Sequence, residues 1–199
     1  MDGNHEASIA PDNNRDLSHQ QDDPNEIAKA SADMIDEVQK DFRYFKETNP
    51  EAENINLRII KGILKKLHIA LTRINNLSSD DREHHYYIVY NGTIVMFEVC
   101  KILRKANFYK LAARYLTFNC LTLDHNLLLT TGKYLHWRVR NYIECARAHA
   151  DSKEFDKSLE TLKKGIEKVE ILLTIEKQDM PVLDADQRKL LNPNLYRGN

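Results

Sequence analysis

"HHYYIVYNGTIVMFEVCKIL", residues 84 to 103, is the stretch whose reading decides the fold. Two runs of β-branched and aromatic residues flank Asn91-Gly92, the strongest short signal for a β-hairpin. The same stretch also carries helical spacing: Tyr86, Val89 (with Tyr90), Thr93, Phe97, Cys100 and Leu103 fall on one face. An isolated hairpin is marginal in water and needs a third strand or a packed layer. No other segment offers a convincing partner strand. The run continues unbroken into "CKILRK", where the helical spacing is clear. The stretch is therefore predicted to be helix. Gly92 then costs about 1 kcal/mol relative to alanine, a cost that a closely approaching neighbour helix would explain.

Outward from this stretch, the same period recurs. Toward the N-terminus, Asp23-Pro24 provides a capping carboxylate followed by proline at the first helical position. Ile27, Ala30, Met34, Val38, Phe42 and Phe45 then continue at steps of three and four as far as Asn49-Pro50. A second helix is predicted from Asn54 to Leu77, and Ser79 or Asp80 can cap the next. Toward the C-terminus, helices are predicted over Phe108 to Leu128, Lys133 to Ala150 and Phe155 to Lys177. The expected fold is all-α: about six antiparallel helices forming hairpins that resemble tetratricopeptide (TPR) repeats and begin an α-solenoid. Residues 1–23 are acidic and poor in hydrophobes, and read as a disordered arm. The helical domain is expected over 24–178 and a flexible tail over 179–199.

Bulk composition narrows the function classes. Across 199 residues, 29 basic side chains balance 30 acidic ones, which gives no general field for nucleic acid or an anionic membrane. No apolar run reaches the roughly 18 residues of a membrane span. The polar, acidic "MDGNHEASIAPDNNRDL" reads as neither a signal nor a transit peptide. The 3 cysteines, Cys100, Cys120 and Cys145, form no C-x-x-C pair, so a disulfide framework is not expected and a reducing compartment is.

"NYIECARAHADSKEFDKSLETLKKGIEK" fits one TPR unit, in which large residues alternate with small ones where two helices touch. Trp137, Tyr142, Ala146, Phe155, Ser158, Leu162 and Gly165 are the expected repeat core. "ANFYKLAARYLTFN" echoes "KEFDKSLETLKKG" about 46 residues earlier, so the units are irregular. A plain six-helix bundle is the alternative. In a TPR hairpin the first helix lines the concave face, and counting along it places Arg140, Ile143, Arg147 and Asp151 there as a candidate protein-binding surface.

Tyr90-Asn91-Gly92-Thr93-Ile94, the Lys133-Tyr134-Leu135-x-Trp137-Arg138 core and the hairpin behind it resemble the cilia- and flagella-associated protein fifty-four family over residues 86 to 175. The resemblance implies a helical-repeat scaffold of the axonemal central apparatus, partnered by other scaffold proteins of that apparatus and located in the cytoskeleton of the cilium. It also implies a role in central-apparatus assembly and motility. The alternative function is a soluble TPR-type adaptor that binds a peptide motif.

Motifs for chemistry are sparse. His84-His85 point about 100° apart on a helix, and His68, His125, His136 and His149 lack ligand spacing, so no metal site is expected. No glycine-rich phosphate loop occurs, and no cofactor or catalytic residue is nominated. Asn91-Gly92-Thr93 matches the glycosylation pattern without a secretory context. "KGILKKLHIALTRI", Lys61 to Ile74, is a basic amphipathic helix. It suits a membrane surface or calmodulin, or simply one buried face and one solvated lysine face, and the last reading is preferred.

Overall fold

The computed structural model describes residues 23–49 and 55–179. The described residues form seven α-helices: α1 (Pro24–Thr48), α2 (Leu57–Asn75), α3 (Ser79–His84), α4 (Tyr86–Lys105), α5 (Tyr109–Asp124), α6 (Leu135–Asp151) and α7 (Phe155–Asp179). Two short 3-10 turns, Leu127–Thr130 and Gly132–Tyr134, lead from α5 to α6. There is no strand among the described residues, and the opening stretch is helical from Tyr86 onward. Apart from Asp23 and Asp179, the expected arm and tail lie outside the described residues.

Local chemistry sets the helix ends. Asp23 accepts the Asn25 N–H at 2.9 Å ahead of Pro24, and Asn56 accepts the N–H groups of Arg58 and Ile59. The cap after α2 differs from expectation. It is Ser78, which accepts the Asp81 N–H at 3.2 Å, not Ser79 or Asp80. The six-residue α3 that follows is the added helix, separated from α4 at His85, whose ψ of 18° leaves the helical range.

The helices pack as antiparallel hairpins, α1 with α2, α4 with α5 and α6 with α7, while α5 packs on α6 and the first hairpin packs on α4. One continuous apolar core runs through α1, α2, α4, α5 and α6. The basic helix belongs to that core: Ile63, Leu64, Leu67, Ala70, Leu71 and Ile74 of α2 are all buried. Lys66 pairs with Glu37 at 2.8 Å and Asp41 at 3.5 Å on α1.

Gly92 lies where α4 meets the first hairpin. A Cβ there would stand 2.8 Å from Leu71 Cδ2 and 3.0 Å from Ile35 Cδ1. Both neighbours are themselves buried, so the methyl has no free space to push them into. Gly92→Ala gains about 1 kcal/mol of helix propensity against an overpacking cost of about 1–3 kcal/mol. The expected outcome is a net loss of roughly 1 kcal/mol in a urea titration. A stabilised variant would contradict the close contact.

The expected repeat core divides. Trp137, Tyr142 and Ala146 of α6 are buried, and Ser158 and Gly165 of α7 are half-buried against them. The Ser158 hydroxyl donates to the Ala146 carbonyl at 2.9 Å, and a Cβ on Gly165 would stand 3.0 Å from the Tyr142 Cβ. Phe155 and Leu162 correct the expectation, being 67% and 40% exposed. The reason is the face they occupy. α7 turns Ser158, Gly165 and Leu172 toward the rest of the fold, while Phe155 and Leu162 lie on an adjoining stripe that no described helix covers.

Candidate protein-binding face

Along α6, Arg140, Ile143 and Arg147 follow at steps of three and four, and all three are exposed. Arg140 is anchored by α4: its guanidinium lies 5.2 Å from the Phe97 ring centroid, and the Lys101 ammonium stands 5.9 Å from the same ring. Arg147 is 66% exposed and has Glu144 at 3.7 Å one turn away. Asp151 differs from its neighbours. Arg104 of α4 donates to its carboxylate through Nε at 3.0 Å and through a terminal nitrogen at 2.5 Å. The other terminal nitrogen of Arg104 reaches Glu144. Burial opposes the Arg104 charge, but its hydrogen bonds to the Asp151 and Glu144 carboxylates outweigh it and raise the pKa. Asp151 therefore ties α6 to α4, and Arg140, Ile143 and Arg147 are the groups left facing outward.

A buried polar network fixes this face, and no motif in the sequence announced it. The Trp137 indole N–H donates to the Thr93 hydroxyl at 3.2 Å, and that hydroxyl donates to the Tyr90 carbonyl at 2.8 Å. The Asn119 amide donates to the Thr93 carbonyl at 2.9 Å and to Asn141 Oδ1 at 2.8 Å. Asn141 in turn donates to the Trp137 carbonyl at 2.9 Å. α4, α5 and α6 are thus locked in one register. The Gly92-Thr93 pair serves two interfaces, glycine toward the first hairpin and threonine toward Trp137.

A second anchor is ionic. Arg138, 3% exposed, donates to Asp124 Oδ1 at 2.7 Å. The Tyr142 hydroxyl donates to Asp124 Oδ2 at 2.6 Å. Burial and the Asp124 carboxylate both push the Tyr142 phenol upward in pKa. Arg138 was legible as part of the Trp137-Arg138 pair, but its partner on α5 was not.

The three cysteines are buried thiols. Burial pushes Cys100 up. A hydrogen bond to Cys145 pushes Cys120 up, and that bond, aided by Thr117 and His149, pulls Cys145 down to about 7. The Thr117 hydroxyl lies 3.4 Å from Cys145 Sγ and 3.2 Å from His149 Nε2, and His149 Nδ1 lies 2.9 Å from Glu154. Hydrogen bonds from Lys157 and His149 hold the Glu154 carboxyl at about 2. A thiol, an imidazole and a carboxylate in series suit nucleophilic chemistry only where a substrate can reach the sulfur. Cys145 is 1% exposed, so the chain of groups serves to join α5, α6 and the turn into α7. Among the described residues no group of histidine, cysteine, aspartate and glutamate side chains is arranged to hold a metal ion. No described helix is long and apolar enough to cross a membrane.

Comparison with known proteins adds the family. The family model described as Cilia- and flagella-associated protein 54 matches residues 44–191. A protein of that name from Chlamydomonas reinhardtii is 28% identical over 106 residues, covering 53% of this chain and 3% of the algal protein. The chain thus spans a small fraction of the length of the relative it matches. No solved structure matches. With a match over most of its length, the chain belongs to the Cilia- and flagella-associated protein 54 family.

Proposed function

We propose that this chain is a protein-binding scaffold element of motile cilia and flagella, acting in assembly of the axonemal central apparatus and so in motility. The family match over residues 44–191 carries the ciliary assignment. The binding role rests on the α4–α6 face. There Arg140 and Arg147 stand two helical turns apart beside the exposed Ile143, with Asp151 already engaged by Arg104. Guanidinium groups make bidentate, charge-assisted bonds to carboxylates, so the face suits an acidic segment of a neighbouring scaffold protein. In a TPR-like array the first helix of each hairpin lines the partner groove, and α4 and α6 hold those positions.

The test is partner capture from ciliated cells with wild type against Arg140→Glu/Arg147→Glu, with helicity checked by circular dichroism. Loss of central-apparatus proteins at unchanged helicity is expected. Unchanged capture would remove this face as the contact. Capture of a free peptide motif without central-apparatus proteins would favour the adaptor reading instead.

A further inference from the structure

The seam between α4 and α6 carries a ladder of rings. The Tyr134 ring centroid lies 6.2 Å from that of Tyr86 and 5.1 Å from that of Tyr90. Trp137 follows at 6.4 Å from Tyr90, and Phe97 at 5.0 Å from Trp137. A cation rests on each end of the ladder. The Lys133 ammonium stands 5.2 Å from the Tyr134 ring centroid, and the Arg140 guanidinium lies on Phe97. A cation held against a ring has less side-chain freedom to lose when a ligand arrives.

Lys133, Arg140 and Arg147 are all exposed and stand seven positions apart. Seven residues return a helix to the same face within about 20° and advance it about 10 Å. The three cations therefore form one straight row, with Ile143 between the second and third. Nearby carboxylates are engaged elsewhere: Glu98 with Lys101 at 3.3 Å, and Glu144 and Asp151 with Arg104. Only Arg147 shares one of them, with Glu144 at 3.7 Å. Lys133 and Arg140 pair with no carboxylate among the described residues.

The row also selects the backbone form of its ligand. A partner helix laid along α6 would need an apolar stripe to bury, and the exposed row offers it only Ile143. An extended chain needs no such stripe. In a β-strand, residues three apart face opposite ways. In polyproline II, with three residues per turn and a rise of about 3.1 Å, every third side chain faces the same way at intervals of about 9 Å. That interval lies within side-chain reach of the spacing of the cations.

We propose that the ligand of this face is an extended, polyproline II-like acidic segment with a carboxylate at every third residue, seated on Lys133, Arg140 and Arg147. The proposal rests on the acidic-partner reading of the α6 face; it adds Lys133 as a third contact and spacing as the source of selectivity. The test uses the full chain and two fluorescein-labelled peptides of one composition, Glu-Pro-Pro-Glu-Pro-Pro-Glu and Glu-Glu-Glu-Pro-Pro-Pro-Pro, with binding read by fluorescence anisotropy at low salt. The spaced peptide should bind severalfold more tightly than the clustered one, and Lys133→Gln, its helicity checked by circular dichroism, should weaken the spaced peptide severalfold. Unchanged affinity in Lys133→Gln would overturn the proposal. So would tighter binding of an alanine-rich helical peptide with glutamates seven apart, which would assign the face to a helix. Equal binding of the two proline peptides, abolished for both by Arg140→Glu/Arg147→Glu, would overturn the spacing and leave the acidic-partner reading standing. Binding of none of the peptides would overturn both.

Discussion

Trp137→Ala is expected to destabilise the fold by about 3–5 kcal/mol, the cost of emptying a large aromatic site in a packed core. Trp137 is 6% exposed, its ring centroid lies 5.0 Å from that of Phe97, and its N–H is bonded to Thr93. Its removal opens a cavity where α4 and α6 meet and loosens the network running through Asn119 and Asn141. Folded domains are stable by only about 5–15 kcal/mol, so the loss is a large fraction of the total. Trp137→Phe should cost much less, because it keeps most of the apolar volume and gives up chiefly the hydrogen bond. Urea titrations followed by circular dichroism measure both. The chain has 1 tryptophan, so native fluorescence reports this site and should be blue-shifted. A Trp137→Ala cost below about 1 kcal/mol would contradict the packing described.

Asp124→Ala is expected to cost about 3–5 kcal/mol, because it strands a buried charge. The Arg138 side chain is 4% exposed and Asp124 is its carboxylate partner at 2.7 Å. The Tyr142 hydroxyl loses its acceptor in the same substitution. Removing both charges should be far milder, since apolar side chains of similar volume often replace a buried pair with little loss. Asp124→Leu/Arg138→Met should therefore be more stable than Asp124→Ala in the same titration. The reverse order would mean that the pair contributes through something other than mutual compensation.

Which of these features the sequence made legible follows from the range over which each physical cause acts. Helical periodicity is local, and it settled the Asn91-Gly92 ambiguity because one apolar face ran from Tyr86 to Leu103 without a break. The close approach at Gly92 was also inferable, since a mid-helix glycine is costly unless a neighbour needs the room. The partners of Arg138 and Asp151 were not legible. Asp124 and Arg104 lie on other helices, 14 and 47 positions away, and no spacing rule connects them. Phe155 and Leu162 show a different limit. An amphipathic stripe tells that a helix has an apolar face, but not whether the element that covers it is in place. On α5 the equivalent stripe lies under α6, whereas on α7 it lies open. The cap at Ser78 was not legible because Ser78, Ser79 and Asp80 are all competent caps, and the choice among them rests on backbone geometry.

The most direct test of the functional assignment is the position of the chain in a motile cilium. The protein, tagged at its own locus, would be followed in detergent-extracted axonemes by immunogold labelling of cross-sections. Label retained at the central pair, with loss of that structure and of normal beating when the gene is disrupted, is the expected result. Label dispersed through the cell body, with intact axonemes and unchanged beating in the disrupted strain, would contradict it.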